Sequence, residues 1–114
     1  MLWIGQVAVV RLPAEIDVTN ADAVREELLS VVNQGATLLV ADMSKTRFCD
    51  SAGVSALVRT FTRASASATG MCLVVGTSAV QRVLSLTGVD RVINVYPSVA
   101  SSLGRSSDEA TATT

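Results

Sequence analysis

The chemistry in this chain is concentrated in one short run, Asp50-Ser51-Ala52-Gly53, with Asp17 as a second carboxylate upstream. An aspartate before a helical repeat can cap the helix, and a serine hydroxyl in the first turn sits where unpaired backbone N–H groups and the positive end of the helix dipole tolerate an anion such as phosphate. Asp17 and Asp50 are expected close together at strand ends, but two carboxylates are too few for an intrinsic metal site. The chain contains no histidine, which removes the commonest general base, the commonest metal ligand and every imidazole-based triad. It has no Gly-x-x-x-x-Gly-Lys phosphate loop either, so nucleotide hydrolysis has no motif behind it. Cys49 and Cys72 are too few and too poorly patterned for a disulfide framework or a zinc site and read as buried thiols.

The elements that must position these residues follow from periodicity. Met1 to Ile4 and Val7 to Leu12 read as two short strands joined by a Gly5-Gln6 turn. Thr19-Asn20-Ala21-Asp22 resembles a capping box; Val24, Leu28, Val31 and Val32 then recur at helical spacing up to a stop at Gly35. Thr37 to Met43 is a continuous apolar run, as expected of a central strand covered on both faces. Asp50 opens a second helix carrying Val54, Leu57, Val58 and Phe61, closed by Gly70, and Met71 to Val75 is the next strand. Ser78-Ala79-Val80-Gln81 reads as a capping box for a third helix that ends at Gly88. Val92 to Tyr96 is the last strand, and Ser98 to Leu103 a short closing helix.

Strands alternating with helices predict an α/β fold: a single domain over residues 1–104 with a mixed, mainly parallel sheet of four or five strands flanked by about four helices. Residues 105–114 read as a disordered polar tail. Loops at the strand carboxyl ends are where function gathers in such folds, and the Asp50-Ser51 loop follows a central strand.

With 114 residues, 49% of them apolar, the chain suffices for one core. Nine basic and ten acidic residues give a net charge of -1, which argues against nucleic-acid partners and anionic membranes. No apolar run is long enough to span a membrane, and Met1 to Leu12 lacks the pattern of a signal peptide, so a cytoplasmic location is expected. Lys45, Arg47, Arg59 and Arg63 read as solvated charges. Trp3 reads as an edge-strand packing residue, and a short first strand exposes pairing groups that favour self-association.

Three stretches in register resemble the STAS domain family, above all its anti-sigma factor antagonists. Ala14-Glu15-Ile16-Asp17 with Asn20-Ala21 resembles the family's Gly-Glu-Ile-Asp signature. Phe48-Cys49-Asp50-Ser51-Ala52-Gly53-Val54 resembles its phosphorylation motif. The region from Arg82 to Arg91, with Val95-Tyr96-Pro97-Ser98, resembles its third helix and last strand. The resemblance covers roughly Val7 to Leu103 and departs from the pattern at Ala14, which replaces a glycine, and Ala52, which replaces a second hydroxyl residue.

The resemblance implies a bacterial regulator, not an enzyme, that needs no cofactor. Its unphosphorylated form binds an anti-sigma factor serine kinase and so frees a sigma factor; phosphorylation at Ser51 abolishes binding. Asp17, Asp50, Ala52 and Gly53 would support the phosphosite and the partner surface. Lone domains of this family also serve as scaffold subunits of transporters or sensory assemblies, and in that reading Ser51 is only a helix-capping residue.

Overall fold

A computed structural model describes residues 1–104; the tail expected at 105–114 lies outside the described residues. The strands are β1 (Leu2–Ile4), β2 (Val7–Arg11), β3 (Glu15–Ile16), β4 (Leu38–Met43), β5 (Phe48–Cys49), β6 (Gly70–Val75) and β7 (Asn94–Tyr96). The helices are α1 (Ala21–Asn33), α2 (Ser51–Ala66) and α3 (Ser78–Thr87), followed by a 3-10 turn (Val89–Arg91) and a fourth helical segment at residues 99–104.

Five strands form one sheet in the order β1-β2-β4-β6-β7, and β3 and β5 form a separate two-stranded ladder. Only β1 and β2 are antiparallel within the main sheet, because the two-residue link Gly5-Gln6 can only make a hairpin. Gly5 has φ +61, the left-handed geometry that a Gly-X hairpin turn requires at its first central position. The β2–β4, β4–β6 and β6–β7 pairs are parallel, with α1, α2 and α3 supplying the crossovers.

Alternation along the strands divides the interior. Val10, Leu39, Ala41, Met43 and Leu73 point to the face packed by Leu28 and Val31 of α1, Leu57 of α2 and Leu84 of α3. Val9, Val40, Val74 and Tyr96 point to the other face, where Val99 and Leu103 of the fourth helical segment pack against them. β4 is therefore covered on both sides, as its unbroken apolar run requires.

Several boundaries differ from the sequence reading. The expected capping box at Thr19 does not form: Asn20 is the N-cap of α1, and its side chain makes no cap hydrogen bond because it is engaged elsewhere. α3 is capped by Thr77, not Ser78, with the Thr77 hydroxyl accepting the Val80 N–H at 3.3 Å. α2 ends before Gly70: Ser67 is its C-cap, Ala68 takes the left-handed turn (φ +58), and Gly70 opens β6. The last strand starts at Asn94 because Gly88 (φ +80) leads into the 3-10 turn. Gly35 (φ +88) follows α1 as expected. Among the described residues, no helix is long and apolar enough to cross a membrane.

Candidate functional site

The site is built on the smallest element of the fold. β3 and β5 pair in parallel through Glu15↔Phe48 and Ile16↔Cys49, which leaves Asp17 and Asp50 as the next position on each strand. The Asp50 N–H donates to the Ile16 carbonyl at 3.1 Å, and the Arg47 N–H donates to the Ala14 carbonyl at 2.9 Å, so the two segments are joined on both sides of the ladder. Asp17 and Asp50 are thus neighbours in register, as the sequence reading expected.

Asp50 is the N-cap of α2. Its backbone is extended, and its carboxylate accepts the N–H groups of Ala52 at 2.9 Å and Gly53 at 3.1 Å. Those are two of the donors that a helix start leaves unpaired. Ser51 is the first helical residue and is exposed. A phosphate on Ser51 would therefore meet a helix start whose Ala52 and Gly53 donors are already taken by a carboxylate, a tighter condition than the open helix start assumed from sequence.

Gly53 has a packing reason to be glycine. A Cβ there would lie 2.6 Å from the Cys49 Sγ, 2.9 Å from the Ile16 Cγ2 and 3.3 Å from the Ile16 Cβ. Ile16 and Cys49 are themselves buried, at 0% and 4% exposure, so the first turn of α2 rests directly on the β3–β5 ladder and holds Ser51 at a fixed height above it. Ala52 is half-buried and lines a shallow groove of about 220 Å³ between α1 and α2, with Val18, Arg25 and Arg59 along it.

The loop carrying Asp17 is ordered by its own polar groups. The Asp17 carboxylate accepts hydrogen bonds from the Thr19 N–H (2.9 Å) and the Thr19 hydroxyl. These bonds favour the ionised form, the hydroxyl most strongly, and hold the Asp17 carboxyl below its usual value of 3.8. Asn20 clasps the same loop, accepting the Asp17 N–H at 2.9 Å and donating to the Glu15 carbonyl at 2.8 Å. Its role escaped the sequence reading; the signal available was an asparagine four residues past a short strand end, where such side chains bond to local backbone.

Cys49 is chemically quiet. Burial, aided by the negative charge of Asp50, pushes its thiol up to about 11, so it stays protonated near neutral pH. Two apolar side chains flank the site in solvent, Val18 at 78% and Phe48 at 50% exposure. Lys45, Arg47, Arg59 and Arg63 are exposed. Arg47 pairs with Glu15 at 3.8 Å, but the pair joins two exposed side chains and contributes little. Among the described residues, no cluster of histidine, cysteine, aspartate or glutamate could hold a metal ion.

This arrangement, a capped helix start seated on a two-stranded ladder beside a mainly parallel sheet, is that of a small α/β domain. The STAS domain model matches residues 3–102, and the chain belongs to that family. Among solved structures, it is similar to an anti-sigma factor antagonist from Mycobacterium paratuberculosis, with 30% identity and a TM-score of 0.84 over 91% of this chain and 88% of that one. The phosphorylated form of the Bacillus cell fate determinant SpoIIAA aligns with 20% identity and a TM-score of 0.69 over 92% of this chain and 95% of that one. A sulfate transporter family protein from Wolinella succinogenes shares the fold at 15% identity and a TM-score of 0.80, over 92% and 88% of the two chains. No curated protein sequence matches the chain.

Proposed function

We propose that this chain is an anti-sigma factor antagonist: a protein-binding switch that, unmodified, holds an anti-sigma factor serine kinase and thereby frees a sigma factor, and that lets go when Ser51 is phosphorylated. The observation that carries the reading is the exposed hydroxyl of Ser51 at the first position of α2, directly after the Asp50 cap, in a chain whose fold is that of anti-sigma factor antagonists. The chain itself performs no chemistry in this reading. The kinase brings ATP and transfers the phosphoryl group; this domain presents the acceptor.

The switch follows from electrostatics. A phosphoserine adds about -1.5 to -2 charges at neutral pH. The Asp50 carboxylate occupies the Ala52 and Gly53 donors, so the phosphate remains at the surface beside Asp50 and near the Asp17 loop instead of being absorbed by the helix start. An approaching partner then meets a larger anionic cluster, flanked by the apolar Phe48 and Val18, while the core beneath is unchanged. Weakening a complex a hundredfold takes about 2.7 kcal/mol, within reach of one lost hydrogen bond at Ser51 plus close like-charge repulsion. Ala52 leaves no second hydroxyl next to Ser51, so Ser51 is the acceptor within this motif.

Intact-mass spectrometry after incubation with a candidate anti-sigma factor kinase and ATP is expected to show one added phosphate, absent in Ser51→Ala. In pull-down, Ser51→Ala should retain the kinase and Ser51→Asp should lose it. Equal kinase binding by both variants would sink the switch and favour a scaffold role.

A further inference from the structure

β1 is an edge strand, and its side chains lie in solvent: Leu2 is 57%, Trp3 37% and Ile4 47% exposed. Native edge strands are usually blunted by lysine, proline, a bulge or an inward charge. Met1 to Gln6 carries no charged side chain and no proline. The register also fixes which backbone groups are unpaired. Ile4↔Val7 closes the two-residue turn and is a hydrogen-bonded pair, so Trp3↔Ala8 is the alternate pair, and the Trp3 N–H and C=O point away from the sheet.

We infer that two copies of this chain associate through β1, antiparallel about a two-fold axis at Trp3, joining the two five-stranded sheets into one. Trp3 then exchanges both backbone hydrogen bonds with Trp3 of the second copy, and Leu2 of each copy stands opposite Ile4 of the other. The occupant is a second copy because the pairing is self-complementary: indole meets indole, and aliphatic meets aliphatic on the opposite face. A net charge of -1 per chain sets no long-range repulsion against it.

The other end of the sheet does not propagate the contact. β7 has three residues and runs directly into Pro97, which has no N–H to offer a further strand. The assembly therefore closes as a dimer. Three paired residues a side fall well short of the roughly 1,200 Å² at the lower end of stable interfaces, which makes this a weak, reversible association. This association is independent of whether Ser51 is a phosphosite.

Sedimentation equilibrium of the full chain from about 1 to 500 µM tests it. The weight-average mass should climb from 11.8 kDa toward twice that value, and emission from Trp3, the sole tryptophan, should shift to the blue in step. Ile4→Lys or Leu2→Glu alone should weaken association about tenfold or more, while the double substitution sets opposite charges across both pairs and should restore it. Trp3→Cys should oxidise to a covalent dimer, since hydrogen-bonded antiparallel partners lie about 5.5 Å apart at Cα. A monomer throughout the range overturns the inference. So does a dimer indifferent to the single substitutions, a double variant no better than the singles, or Trp3→Cys that does not crosslink.

Discussion

Gly53→Ala isolates the contact on which the site stands. The methyl group would arrive 2.6 Å from the Cys49 Sγ and 2.9 Å from the Ile16 Cγ2, both far inside van der Waals contact. Neither neighbour yields easily. Ile16 is fully buried and β-branched with a stiff χ1, and Cys49 is 4% exposed on the paired strand. Overpacking of this kind costs about 1–3 kcal/mol, against which alanine's helix propensity returns at most about 1 kcal/mol. The expected net is a destabilisation of about 1–2 kcal/mol, read as a lower denaturant midpoint at unchanged slope and a fall in Tm of about 4–8 °C per kcal/mol. The double variant Gly53→Ala with Cys49→Ala removes the sulfur from the collision. A double-mutant cycle should then show favourable coupling of about 1 kcal/mol. If Gly53→Ala is as stable as the parent, or the two substitutions are simply additive, then α2 does not rest on the ladder in this way and the account of the motif glycine fails.

Asp50→Ala should cost about 0.5–2 kcal/mol by stripping the cap from two N–H groups, with Asp50→Asn retaining most of the stability in the same urea titration. The folded-state pKa of Asp17 lies below 3.8, so its contribution is present above that value and lost as the pH falls through the folded midpoint; a carboxyl NMR titration should place that midpoint below 3.8, and Thr19→Val should raise it. Cys49, with its thiol near 11, should resist iodoacetamide at pH 8 in the folded protein and react rapidly once denatured, whereas modification at equal rates in both states would contradict its burial.

Local signals in the chain were enough to identify α1, α2 and α3, because each carries apolar residues at helical spacing, and to mark β4 and β6 as buried runs. The Asp50 cap and the turns at Gly5, Gly35 and Gly88 were equally legible, since each depends on the chemistry of one or two residues. The motif stretches carried the family as well, ahead of any geometry. What the sequence could not reveal is the β3–β5 ladder: two residues per strand have no period to detect, and they pair only because β2 and β4 deliver them side by side. The same holds for the side chains whose partners are distant or ambiguous. Asn20 gives up the expected helix cap to bond across its loop, and Thr77 displaces Ser78 as the cap of α3 while its hydroxyl also reaches the Thr46 carbonyl at 3.3 Å. Gly53 looks like any helix residue until Ile16, 37 positions earlier, is set beneath it. Composition and spacing therefore determined which residues could present a serine at a helix start; tertiary packing alone decided the platform that holds it, because that platform is made of contacts between segments far apart in the chain.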